Sequence, residues 1–447
     1  MSITSNLQQS VGLRMIIIFF LTLILFIPST MILDLISERE YRKIQVIDEI
    51  SQKWGGVQIL AGPVLTIPYR ELQSVDDEGK RNYHNRYVHI LPEEFILDGG
   101  IDPQIRARGI YTAILYEHQS TMEGYFDFSE LERLGVKRSD MMLDQAFISL
   151  GLNDLRGIRE GIVLQWGDQE LDAQPGVRIN APMQTGITFL PKNLSLAARI
   201  KFSTSIKING SGSFSIIPVG KQSNIAIQSS WPDPSFSGSF LPVERSVSAS
   251  GFAAQWQVLH FNRQFPQIWS DGQYTIFSDL VSVNLLDPVD AYRQTERSGK
   301  YAFLFIGLTF FALFLVEVLN RQAIHPIQYL LIGFGLVLFY LLLLAFSEHI
   351  AFLLAYTLAS LAIITIITAY IFFVLRSVRL GVLLGGLVAI LYTFLYILLQ
   401  LQDYSVLVGS IGLLLLLVIT MYVTRNVNWF TILDRPEKKN QAEGADA

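Results

Sequence analysis

Five apolar runs, each about twenty residues long and separated by only a few polar residues, fill the last third of this 447-residue chain. They cover residues 301–319, 327–346, 350–375, 380–401 and 404–423. A helix of about 20 apolar residues crosses the roughly 30 Å hydrocarbon core of a bilayer, and a water-soluble fold has no place to hide five in succession. A sixth run, residues 15–33, is polar only at Thr22, Ser29 and Thr30, with Arg14 just before it. No small-residue cleavage site follows, and Pro28-Ser29-Thr30-Met31 is a poor substitute. The run therefore reads as an uncleaved signal anchor rather than a removed signal peptide.

Charge distribution orients these spans. Only 16% of residues are charged, against about a quarter in soluble domains. Among the short connections of the C-terminal block, Arg321 lies in the first and Arg376 and Arg379 in the third, while the second and fourth carry no Lys or Arg. The tail adds Arg425, Arg435, Lys438 and Lys439. Positive charge marks the cytoplasmic side. The pattern predicts about six membrane helices, a cytoplasmic N-terminus (1–14), a cytoplasmic tail (424–447) and everything between the first and second spans outside. Arg293, Arg297 and Lys300 stand on the wrong side, an exception that long translocated domains tolerate.

The intervening region changes period. In residues 34–56, Ile36, Ile44, Ile47, Ile50 and Trp54 recur at helical spacing among charges, and Gly55-Gly56 ends the pattern. The first membrane helix is expected to continue as an amphipathic stalk whose apolar stripe packs on the exported domain, with the membrane surface as the rival resting place. From about 57 to 290 strand alternation dominates, within a β-rich domain expected to span 57–300. Leu194, Leu196, Ala198, Ile200, Phe202, Ile206 and Ile208 alternate with polar residues, and Asn209-Gly210 supplies a hairpin dipeptide. Residues 110–116, 122–128, 146–152 and 252–258 alternate likewise; only 129–136 and 141–145 read as helix. The expected fold is a polytopic α-helical membrane protein carrying a large, inserted, antiparallel β-rich, sandwich-like periplasmic domain.

Few reactive groups are available. There is no cysteine, which removes disulfides, thiolate metal sites and thiol nucleophiles together. The six histidines never form H-E-x-x-H or another ligand spacing, and no phosphate-binding or dinucleotide loop occurs. Gly210-Ser211-Gly212-Ser213 is not a nucleophile elbow, and Asp287 with Asp290 reads as a polar exit from the sheet rather than a carboxylate pair. Net charge is −5 without a basic stripe, so no nucleic-acid partner is expected. Neither catalytic residues, a cofactor nor a metal is expected.

Several residues still ask for a role. Glu317 lies within a span, where an ionisable group marks a functional candidate; the simpler reading is a partly hydrated i,i+4 ion pair with Arg321 near the cytoplasmic surface. His325 with Pro326 is expected to cap a turn. Glu348 and His349 read as a solvated outer loop, with pH sensing as the sharper alternative. Trp231, Pro232, Pro234 and Phe236 belong to a stiffened aromatic loop, either a corner packed on the sheet or a partner-binding loop.

Several blocks also carry a family likeness: Trp54-Gly55-Gly56-Val57 through Gly62-Pro63-Val64-Leu65, Leu152-Asn153-Asp154-Leu155-Arg156-Gly157-Ile158, and Ser230-Trp231-Pro232-Asp233-Pro234-Ser235-Phe236. Gly251-Phe252-Ala253-Ala254-Gln255-Trp256, His325-Pro326-Ile327-Gln328-Tyr329, Ser347-Glu348-His349-Ile350 and Leu401-Gln402-Asp403-Tyr404 continue it. Together they resemble the CreD family of inner-membrane, cell-envelope integrity proteins over nearly the whole chain. Asn153 departs from an expected Ser-Asp pair. The resemblance implies a role in envelope stress, resistance to wall-active agents and colicin tolerance, and no catalytic residue. The expected function is non-enzymatic: the bilayer holds the helices and the periplasmic domain meets a periplasmic partner or ligand. A transporter or flippase using the helix block is the alternative, and a membrane enzyme a distant third.

Overall fold

The computed structural model describes residues 11–75, 77, 81–196, 199–286, 291–320, 324–401 and 404–425. The chain divides into two compact units, Met1–Arg42 with Val289–Ala447, and Lys43–Pro288.

Helix α1, Val11–Trp54, is 44 residues long and continues through Pro28. The membrane run and the stalk are thus one helix. Of the predicted stripe, Ile36 is fully buried, Ile47, Ile50 and Trp54 are half-buried, and Ile44 is exposed. The helix stops where Gly55 and Gly56 both donate to the Ser51 carbonyl, and Gly56 takes a left-handed φ of 61°.

The sheet unit opens with β1 (Gln58–Val75) and β2 (Arg81–Ile90). β3 (Glu94–Arg108) and β4 (Tyr111–Phe126) form a long hairpin. Short 3-10 turns at Ser129–Leu134, Arg138–Asp140 and Leu143–Gln145 replace the longer helical reading of 129–136. Then come β5 (Phe147–Leu152), β6 (Val163–Trp166), β7 (Gln169–Asp172), β8 (Gln174–Pro175) and β9 (Gly186–Phe189). β10 (Ile200–Ser211), β11 (Ser213–Ile216), β12 (Gln222–Ser229) and β13 (Pro234–Gly238) follow. β14 (Glu244–Ser248), β15 (Gly251–Leu259), β16 (Ile268–Ser270) and β17 (Val281–Leu285) complete the unit.

These strands make two sheets. One runs β13-β17-β11-β1-β5-β9-β8, with β2 on β1 and β16 on β2; the other runs β14-β15-β12-β3-β4-β10-β6-β7. All pairings are antiparallel except β1 with β11 and β3 with β12. A single core lies between them, with Leu60, Val64 and Ile148 from the first sheet meeting Phe95, Phe126 and Ile206 from the second. β15 alternates buried and exposed, as a strand with one wet face must, whereas β5 is buried throughout.

The Asn209-Gly210 hairpin is corrected. Both residues lie inside β10, paired with Glu117 and Tyr116 of β4. The chain leaves one sheet for the other at Gly212, whose φ is 69°. Gly210 serves packing instead: a Cβ there would sit 2.2 Å from the Tyr116 hydroxyl, which donates to the Ser213 carbonyl at 2.7 Å. The alternation predicted from Leu194 becomes a strand only at Ile200, and Ala198 is outside the described residues.

The second unit contains the C-terminal helices. α2 (Ala291–Lys300) is a helix at the end of the span 57–300, where the sequence pattern predicts a β-rich domain. α3 (Ala302–Asn320), α4 (Pro326–Ser347), α5 (Phe352–Leu375), α6 (Val378–Gln400) and α7 (Ser405–Thr424) match the five apolar runs. With α1, six helices among the described residues are long and apolar enough to cross a membrane. Their shared core joins Leu25 of α1 to Phe310, Phe339, Tyr356 and Leu395.

Candidate functional site

The most unusual group in the helix unit is the Glu317 carboxylate. α3 carries it on the same buried stripe as Phe310, Leu313 and Phe314, and the residue is only 4% exposed. A carboxylate removed from water needs partners for both oxygens. It has them. Arg14, near the start of α1, bonds Oε1, and the Tyr329 hydroxyl of α4 donates to Oε2 at 2.8 Å. Three helices meet at this one side chain. The expectation of a hydrated interfacial group is therefore corrected: neighbouring helices cover Glu317, and α1 delivers its counter-charge. Arg321, its expected partner, is outside the described residues.

A second polar cluster joins α2 to α4 and α6. Tyr292, Thr295 and Ser298 lie at helical spacing, and all three are buried. The Tyr292 hydroxyl donates to Glu348 Oε1 at 3.0 Å, and the Thr295 and Ser347 hydroxyls lie 3.4 Å apart. The Arg297 guanidinium donates to the carbonyls of Leu398, Leu399 and Leu401, at 3.3–3.4 Å. Leu398 and Leu399 are in the last turn of α6 and Leu401 caps it, so these carbonyls lack intrahelical amides and lie at the negative end of its dipole. One of the charges that offended the positive-inside pattern thus has a structural use. Glu348 caps α4 and binds Tyr292, so it is not a free loop carboxylate; His349 is exposed, with Nδ1 3.1 Å from the Ala345 carbonyl.

His325 is the N-cap of helix α4. Its Nδ1 accepts from the Ile327 amide at 3.3 Å, Gln328 Oε1 accepts from the His325 amide at 2.9 Å, and Pro326 occupies the first turn.

In the sheet unit the aromatic loop is a packed corner. Trp231 Nε1 donates to the Leu286 carbonyl at 3.1 Å, and Phe236 meets Phe252 and Trp256 edge-on. Pro234 opens β13, an edge strand, where a missing N–H does least harm; Pro232 lies in the bend before it. Trp54 donates through Nε1 to the Tyr116 carbonyl at 3.3 Å, and the guanidiniums of Arg106 and Arg159 lie 5.7 and 5.6 Å from its ring.

Two histidines that drew no notice in the sequence are fully buried. His118 stacks on Phe214 at 3.8 Å between centroids, and burial pushes its pKa down to about 3. The Gly100 backbone opposes that shift without completing a regular hydrogen bond to either ring nitrogen. His89 has its Nδ1 3.0 Å from the Thr66 hydroxyl, and burial lowers it to about 4, partly offset by Asp271. Both are neutral core rings at ordinary pH.

Among the described residues no three His, Asp or Glu side chains gather as metal ligands. Asp287 and Asp290 are outside the described residues. The sequence pattern missed Arg14, Tyr329, Tyr292 and Arg297 as bonding partners. The signals were present: an arginine against an apolar run, tyrosines with one polar atom each, and a misplaced positive charge.

The family described as Inner membrane protein CreD matches residues 10–430. Inner membrane protein CreD of Escherichia coli (strain K12) is 35% identical over 421 residues, covering 93% of both chains. Among solved structures, a two-domain M1 zinc metallopeptidase bound to L-arginine is 8% identical, covering 44% of this chain and 42% of its own, with a TM-score of 0.20. An M1 zinc metallopeptidase from Deinococcus radiodurans is 6% identical, covering 48% and 54%, with a TM-score of 0.21. Likenesses this slight carry no argument. The near-complete family match and the six apolar helices settle the class: this chain is a multi-pass inner-membrane protein and belongs to the CreD family.

Proposed function

We propose that this protein supports the integrity of the cell envelope without catalysing a reaction, through a sheet unit displayed on the periplasmic face. The observation that carries the reading is the position of that unit. A double sheet with its own core is inserted after one membrane crossing and before five more. One crossing puts it opposite the N-terminus, and six bring the two ends of the chain to the same side. The Arg-bearing connections support reading that side as the cytoplasm. The envelope role follows from the family resemblance, and the sheet unit is the part placed to meet a periplasmic partner or ligand.

The test is a set of topology reporters. Fusions after Arg379 and Arg425 are expected to read cytoplasmic, and fusions within β3 to β15 periplasmic. A cytoplasmic signal from the sheet unit overturns the proposal.

One observation favours a second reading, transport or lipid flipping by the helix block. Glu317, Arg14 and Tyr329 form a buried charged cluster across three helices, and such clusters serve ion pathways in transporters. Envelope protection in a Glu317→Gln strain that inserts normally separates the two: full protection favours the sheet-unit reading, and complete loss favours transport.

A further inference from the structure

The eight-stranded sheet turns one face to the core. Across its other face runs an open groove of about 650 Å³. Register builds it in two transverse rows. Gln119, Gly100, Gln228, Ala253 and Ser246 stand opposite one another on β4, β3, β12, β15 and β14. In the adjacent row Glu117 faces Asp102, and Gly251 faces Ser248. Five strands spaced about 4.8 Å apart make each row about 19 Å long. Gly100, Gly251 and Ala253 keep the floor low; a Cβ on Gly100 would meet only the Gln228 carbonyl, at 3.9 Å.

Polar side chains stand over a floor to which Ile101, Phe252 and Ala253 add apolar surface. Five serines, two glutamines and two carboxylates face the groove, with no lysine or arginine and no exposed aromatic ring. Asp102, Gln119, Gln228, Ser230 and Ser246 make no side-chain hydrogen bond to any described residue. Others are pre-set: Ser248 and Ser250 share a hydrogen bond at 2.9 Å, and Ser229 Oγ accepts from the Trp231 amide at 3.2 Å. Carboxylates only accept, amides both accept and donate, and hydroxyls do either. An anionic ligand would meet Asp102 and Glu117, and the neighbouring cation, Lys207 opposite Gln119 on β10, is already paired with Glu117 at 3.1 Å and with Glu160 at 3.5 Å. The apolar side chains of the lining are an exposed Ala253 and the edges of Ile101 and Phe252, which are otherwise buried, so a lipid or aromatic ligand would find no projecting hydrocarbon wall. A chain of hydroxyl groups complements every member of the set.

We propose that this groove is a binding site for a neutral oligosaccharide lying across β4, β3, β12, β15 and β14. Vicinal hydroxyls donate to Asp102 and to the Glu117 oxygen that Lys207 leaves open, while Gln119 and Gln228 grip opposite edges of successive rings. The site deepens the envelope reading and rests on it for biological meaning, but binding in detergent does not depend on which side of a membrane the sheet faces. The topology test and the binding test therefore fail separately.

The experiment uses the full chain in lauryldimethylamine oxide, because glycoside detergents would compete. Saturation-transfer NMR and calorimetric titration are run with maltotetraose, with the tetrasaccharide of N-acetylglucosamine, and with spermidine as a cationic control. Binding of at least one tetrasaccharide is expected, weakened tenfold or more by Gly100→Tyr, which fills the floor, and by the Gln119→Ala/Gln228→Ala pair. Gly100 has no left-handed φ, and both glutamines are exposed, so the variants should melt as the parent does. If Gly100→Tyr fails to fold, the glutamine pair decides. Absence of saccharide binding, saccharide binding unchanged in the variants, or binding of spermidine alone overturns the proposal.

Discussion

Tyr329 donates its hydroxyl to Glu317 Oε2 at 2.8 Å while Arg14 occupies the other carboxylate oxygen, so a single buried acid ties α1, α3 and α4 together. Neutralising it as Glu317→Gln strands the Arg14 charge, whose side chain is 30% exposed. Breaking a fully buried pair costs about 3–5 kcal/mol; partial hydration of Arg14 should reduce this to roughly 2 kcal/mol. We expect a lower melting temperature in detergent, a smaller effect from Tyr329→Phe, and partial recovery in Arg14→Met/Glu317→Gln, where no charge is left alone. A double variant no better than Glu317→Gln would contradict the pairing.

Arg297 should matter more than its position just outside the first C-terminal span suggests. Its guanidinium reaches three carbonyls at the end of α6, and hydrogen bonds from a charged donor are worth about 1.5–3 kcal/mol where well formed. These are long, so Arg297→Leu should cost roughly 1–2 kcal/mol. Arg297→Lys, with one compact donor group, should recover part of it. Faster hydrogen exchange at residues 395–400 in the Leu variant is the direct check. Unchanged exchange would mean the contacts are incidental.

The buried histidines set an acid limit for the sheet unit. His118 and His89 are held near 3 and 4 in the fold, against about 6.5 in an unfolded chain. Below pH 6.5 the unfolded state binds protons that the folded state refuses. Stability is therefore constant above that value and falls as pH drops toward the folded pKa. Between pH 7 and pH 5 each ring should cost roughly 2 kcal/mol. Denaturant unfolding followed by tryptophan fluorescence reads this unit, since Trp166, Trp256 and Trp269 are all buried in it. His118→Phe should roughly halve the pH slope; an unaltered slope would rule His118 out as its source.

The sheet unit should also fold apart from the helices. Its core is drawn from both sheets and needs no disulfide, since the chain has no cysteine. An exported fragment of residues 58–286 should give a β-dominated circular-dichroism spectrum and one cooperative unfolding transition. A helical or disordered spectrum would show that the core depends on the membrane helices.

The sequence by itself determined the membrane helices, because a span must be apolar along its whole length and nothing else in the chain is. It also determined that the middle region is sheet, since a strand with one wet face must alternate, and β4, β10 and β15 do. His325 as a cap was legible too, because capping is local.

Tertiary structure decided whatever depends on partners distant along the chain. Glu317 looked like half of a local i,i+4 pair, yet its partner Arg14 comes from the other end of the chain, 303 positions away. Asn209-Gly210 has the composition of a turn, but Tyr116 of β4 needs the glycine as empty space, so the strand runs straight through. α2 escaped notice because its buried face is Tyr292, Thr295 and Ser298, hydroxyl groups rather than hydrocarbon, and periodicity registers only apolar faces. The groove across β4, β3, β12, β15 and β14 is a matter of register: its residues come from segments up to about 150 positions apart, and only strand pairing lines them up.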